Sequence, residues 1–78
     1  MTEQQIQTKK IKELEADGYY VLKLIKNKNG IPDVVALHPE YGIEFYEIKT
    51  KKGKASKLQE YRLKELRQYG FTAEIYRG

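Results

Sequence analysis

The chain has 78 residues, with 15 Lys and Arg against 11 Asp and Glu for a formal charge of +4, one His and no Cys. That length admits a single domain, residues 1–78, with a small core that a second copy would reinforce. The lack of Cys excludes disulfides, thiolate metal centres and thiol nucleophiles, leaving oxygen atoms to hold any cation.

A pI near 9.3 favours a polyanionic partner. No apolar run approaches the length of a membrane span, and the polar start from Met1 to Lys10 has no signal-peptide core. The expectation is a soluble cytoplasmic protein in a reducing compartment, with no membrane partner.

Thr2-Glu3-Gln4-Gln5 has the capping-box pattern and predicts a helix to about Asp17, stopped by Gly18. Ile6, Ile11 and Leu14 share one arc of it, interrupted by Glu3, Gln7 and Lys10. Residues 19–26 alternate as a strand, and Asn27-Lys28-Asn29-Gly30 is a polar turn. Pro32 leads into a short second strand, Val34 to Leu37. The reversal His38-Pro39-Glu40-Tyr41-Gly42 then gives a third, Ile43 to Thr50, as an antiparallel hairpin. A basic loop, residues 51–55, precedes a second capping box, Ser56-Lys57-Leu58-Gln59, and a helix ending near Tyr69-Gly70. A last strand over residues 71–76 completes an α/β order of αβββαβ.

On the third strand Ile43, Phe45, Glu47 and Lys49 share a face, with Glu47 and Lys49 roughly 7 Å apart. If Ile43 and Phe45 meet a helix, Glu47 falls at the rim of the core, where a carboxylate needs a metal or a cation. Alternatively both charges are the solvated end of an edge strand. Asp33 opens the adjoining strand, so the hairpin brings a second carboxylate near Glu47; in isolation it reads as a turn residue after Pro. Two carboxylates and an ammonium are what a divalent cation and a water nucleophile require for cutting a phosphodiester.

Gln59 projects at the centre of the apolar arc formed by Leu58, Leu63, Leu66 and Tyr69, where its amide needs a partner. It serves the site, the capping box with Ser56, or both. Glu3 is either a first-turn acid favoured by the helix dipole or a group reaching over the sheet. His38 reads as a surface residue. Lys51, Lys52, Lys54 and Lys57 lie beside the carboxylates and suit phosphate contact, with Arg62, Lys64 and Arg67 following.

With Gly30-Ile31-Pro32-Asp33, Glu47-Ile48-Lys49 and Ser56-Lys57-Leu58-Gln59 in that order, the chain resembles the VRR-NUC domain of the PD-(D/E)xK nuclease superfamily nearly end to end. It looks like the compact standalone type of phages and bacteria. The resemblance implies a restriction-endonuclease-like core, a mixed β-sheet flanked by two helices, that binds Mg²⁺ or Mn²⁺. It implies Asp33, Glu47 and the Ile48 carbonyl as ligands, and Lys49 as the group that orients and helps deprotonate water or offsets developing charge. Glu3 is similar to the family's acidic residue on the first helix, where it would act through a water, and Gln59 to the Gln on the second. Lys23 matches a basic position on the first strand, joining Lys51, Lys52, Lys54, Lys57 and Arg62 as nucleic-acid contacts.

The expected activity is metal-dependent endonucleolytic cleavage of DNA, branched or duplex, by a homodimer. Selectivity for Holliday junctions or other branched structures would suit repair or recombination in a bacterial or phage-infected cell. The short segment between Asp33 and Glu47 leaves little protein to read a base sequence. The alternatives are a non-catalytic nucleic-acid-binding module of the same fold, and a small interaction protein with a basic surface.

Overall fold

The computed structural model describes residues 1–25 and 29–78. Its elements are α1 (Glu3–Ala16), β1 (Tyr20–Lys23), β2 (Val34–His38), β3 (Gly42–Lys49), α2 (Lys57–Gln68) and β4 (Thr72–Arg77). The strands form one sheet in the order β1-β2-β3-β4. β1, β2 and β3 are antiparallel neighbours in chain order, whereas β4 runs parallel to β3 because α2 carries the chain back across the sheet. This is the expected α/β order, a mixed sheet flanked by two helices, consistent with a restriction-endonuclease-like core.

Local chemistry sets the boundaries. Thr2 Oγ1 accepts the Gln5 N–H at 3.2 Å and Gln5 Oε1 accepts the Thr2 N–H at 2.9 Å, satisfying two donors that a bare helix end would strand. Beyond the C-terminal end of α1, Gly18 takes φ +90°, a left-handed conformation that costs glycine nothing. β1 is shorter than the alternation predicts, ending at Lys23; the expected strand end at Lys26 and the turn at Asn27 and Lys28 lie outside the described residues.

The two faces of the sheet are covered differently. On one, Ile6 and Leu14 of α1 pack on Val34, Ala36, Tyr46 and Ile48 in one buried cluster. Lys10, the polar interruption of the α1 arc, has its Nζ 4.8 Å from the Tyr46 ring centre and 4.5 Å from that of Tyr76, cation–π contacts that reconcile a charge with this face. Beneath the helix, Glu44 accepts hydrogen bonds from the hydroxyls of Tyr19, at 2.6 Å, and Tyr46. The hydrogen bond to Glu44, backed by burial, pushes the Tyr19 phenol up to about 12. Burial first, then the same carboxylate, raises Tyr46 as well.

The opposite face carries α2, which packs over β4 with Leu63 and Ala73 buried. Phe45 meets Phe71 edge-on at 5.9 Å between ring centres. Because α2 sits to one side, the rest of this face is open: Tyr20, Leu22 and Ile43 are 66%, 43% and 38% exposed. The apolar arc of α2 is accordingly narrower than its sequence suggests, with Leu58 and the capping residue Tyr69 exposed at its margins. His38 is half-buried, not a free surface residue. Its Nδ1 accepts the N–H groups of Glu40 and Tyr41 at 3.0 and 3.3 Å, and its ring stacks on Tyr41, so it holds the β2–β3 reversal.

Candidate active site

The chain departs from the regular ladder at Asp33. Extending the pairing Val34↔Tyr46 by one step sets Asp33 opposite Glu47. There the Asp33 N–H donates to the Tyr46 carbonyl at 3.0 Å, and the Asp33 carbonyl accepts the Leu24 N–H at 2.9 Å. Its carboxylate Oδ2 accepts the Ile48 N–H at 2.8 Å. Asp33 is thereby fixed between β1 and β3, with its carboxylate against the strand residue that follows Glu47. Pro32, which has no N–H to offer a ladder, is buried just ahead of it.

The loop leading in is held against α2. Gly30 adopts φ +80°, and a Cβ there would stand 2.8 Å from the Leu58 carbonyl oxygen and 2.9 Å from Leu58 Cγ. Arg62 Nε donates to the Asn29 carbonyl at 3.1 Å. One helix thus registers both the loop that carries Asp33 and, through Gln59, the strand that carries Glu47.

Glu47 is 2% exposed, deeper than the core rim anticipated for it. An ionised carboxylate so placed depends on donors and cations to offset its lost hydration. Gln59 Nε2 donates to Glu47 Oε2 at 3.1 Å, and Lys49 Nζ lies 3.8 Å from the same oxygen with its side chain 14% exposed. Gln59 Oε1 meanwhile accepts the Ser56 N–H at 2.9 Å, and Ser56 Oγ accepts the Gln59 N–H at 3.1 Å. The two roles that the sequence leaves open for Gln59 are therefore both performed: its amide oxygen caps α2 and its amide nitrogen serves Glu47.

Asp33, Glu47, Ile48, Lys49 and Gln59 come together at the C-terminal end of β3. Glu3 is exposed on the first turn of α1, which packs on the other face of the sheet, and no group of three or more acidic, His or Cys side chains is placed to hold a metal among the described residues. Lys23 is exposed at the edge of the sheet; its partner Val34 belongs to the α1 face, so Lys23 projects away from the face of Glu47. Lys51, Lys52, Lys54 and Lys57 are exposed around the connection from β3 to α2. Lys51 and Lys52 border a cleft of about 460 Å³ shared with Met1, Ile6 and Gly78. Arg62 turns its donors inward, to Asn29 and to Glu65 at 3.2 Å.

Sequence reading missed Arg77. It pairs in register with Lys49 across β3 and β4, and its Nη1 donates to the Thr50 carbonyl at 3.0 Å and to the Gly53 carbonyl. Only the parallel placement of β4 brings it there, and pattern alone does not give strand order.

Comparison with family models matches residues 1–78 to the VRR-NUC domain. Neither the curated proteins nor the solved structures yield a match.

Proposed function

The chain belongs to the VRR-NUC family and is a nuclease-type domain; on that footing we propose that residues 1–78 act as one metal-dependent DNA endonuclease domain with Asp33, Glu47, Lys49 and Gln59 at its centre. The observation that carries the reading is the convergence on one end of β3 of two carboxylates, an ammonium and an amide, with the Asp33 carboxylate held on the Ile48 N–H. The donor set fits a hard divalent cation. Asp33, Glu47 and the Ile48 carbonyl, which lies on the same side of β3 as the Ile48 N–H, offer only oxygen, as Mg²⁺ and Mn²⁺ prefer. When bound, such a cation supplies Lewis-acid polarisation of a phosphate and a more acidic water.

The residues contribute the rest. Gln59 keeps the Glu47 carboxylate in one orientation, so that no reorganisation is required when substrate arrives. Lys49 presents a positive charge on the face of Glu47, where it orients the attacking water or offsets charge developing on the scissile phosphate. Lys51, Lys52, Lys54 and Lys57 supply phosphate contacts that position DNA without reading bases. Glu3 and Lys23, away from this cluster, have supporting parts at most.

The proposal extends to selectivity for branched DNA and to a homodimer. The open apolar strip of Tyr20, Leu22 and Ile43 supports self-association. Incubation with labelled junctions, flaps, splayed arms and plain duplex in Mg²⁺, Mn²⁺ or EDTA tests the reading. Metal-dependent cleavage of branched forms is the expected result. Metal-independent binding without cleavage would identify a non-catalytic DNA-binding module, and absence of both would leave only the basic surface.

A further inference from the structure

We propose that Arg77 is a positioning residue for DNA engagement, resting on the nuclease reading above: it locks the basic turn after β3 in place, and does not itself contact phosphate. Residues 50–53 form a tight turn in which the Gly53 N–H donates to both the Thr50 carbonyl, at 3.2 Å, and Thr50 Oγ1, at 3.0 Å. At its tip stand Lys51 and Lys52, and Lys54 follows. A turn this short, with a glycine and exposed lysines, would sample many conformations if nothing else held it.

Arg77 supplies the hold. Parallel pairing with Lys49 puts it at the end of β4 beside the last residue of β3, and its guanidinium donates to the carbonyls at both ends of the turn. Both bonds leave one nitrogen, Nη1, whose two hydrogens are fixed in the guanidinium plane one bond beyond the reach of a lysine ammonium. The result ties the turn to the sheet at the point where Glu47 and Lys49 sit, so lysines that meet phosphate are already arranged relative to the reacting groups. Binding then incurs less ordering entropy.

The test compares parent, Arg77→Ala and Arg77→Lys. Amide hydrogen exchange at Gly53 is read without DNA, and affinity for a labelled duplex is measured across a salt series. Positioning predicts faster Gly53 exchange in both variants and affinity weaker by about three- to tenfold, with the log-log salt slope unchanged and no rescue by Lys. A direct phosphate contact predicts instead a slope lower by about 0.9 in Arg77→Ala, restored by Lys; that outcome overturns the proposal, as does unaltered Gly53 exchange. Parent that binds DNA, with variants that bind equally well, overturns the role alone. Parent that binds no DNA overturns the nuclease reading and this role together. Matching far-UV spectra and melting curves for the three proteins exclude misfolding as the cause.

Discussion

Gln59 Nε2 lies 3.1 Å from Glu47 Oε2 while Gln59 Oε1, 2.9 Å from Ser56 N, closes the cap of α2. One side chain therefore couples the start of a helix to a buried carboxylate. Gln59→Ala removes a hydrogen bond to a charged group and half of a capping box, and is expected to cost about 2–3 kcal/mol. Gln59→Glu keeps the cap acceptor but sets a second carboxylate beside Glu47. Like charges raise the new carboxyl's folded-state value above its unfolded one, so stability is retained below about pH 4 and lost as pH rises through the raised value. Urea unfolding at pH 4 and pH 7 checks the sign: Gln59→Glu should come closer to parent at the lower pH.

Gly30 meets two constraints at once, a left-handed φ of +80° and the Leu58 carbonyl 2.8 Å from where a Cβ would be. Gly30→Ala is expected to lose about 2 kcal/mol or more, since neither the strain nor a backbone contact relaxes cheaply. The urea midpoint should fall with the slope unchanged. Because this loop carries Asp33, cleavage should fall further than the folded fraction does.

The phenols of Tyr19 and Tyr46 both donate to Glu44, and both titrate above the ordinary tyrosine range, Tyr19 at about 12. A group whose folded-state value is raised stabilises the fold below its unfolded value, here about 10, and that contribution disappears as pH rises toward the folded value. Stability should decline between about pH 10 and 12. In Tyr46→Phe the decline should be shallower, measured by denaturant unfolding across that range. The phenolate absorbance of Tyr19 and Tyr46 should emerge above the ordinary tyrosine range.

Lys51, Lys52 and Lys54 are exposed on the connection that follows Lys49. Neutralising all three should flatten the salt dependence of DNA affinity by at most about 2.7 in log-log slope, since each phosphate that a lysine ceases to neutralise removes about 0.9. Base preference should not change. An unaltered slope would move the DNA path to another face, with Lys64 the next candidate, since Arg62 is engaged with Asn29 and Glu65, and Arg67 Nε donates to the Ala73 carbonyl at 2.6 Å.

Element order and both helix caps were legible because they are local: a Ser or Thr three residues before Gln, and a Gly after the last turn, act within one turn of chain. Asp33, Glu47, Lys49 and Gln59 were legible as a group because strand and helix periods set their directions. The depth of Glu47 was not, since it depends on where α2 lands over the sheet. Nor were the Lys10 contact with two rings, the tyrosine pair on Glu44 or the Arg77 hold on the basic turn, each of which needs segments distant in sequence brought together in the fold.

Lys49 tests the central claim most directly, because it lies beside Glu47 yet is not one of the proposed ligands. Single-turnover cleavage of a labelled branched DNA in Mn²⁺ should slow by roughly two orders of magnitude or more in Lys49→Ala, as for loss of one electrostatic or acid–base group, while DNA affinity stays close to parent. Cleavage by Lys49→Ala at near-parental rate, with affinity unchanged, would contradict the account.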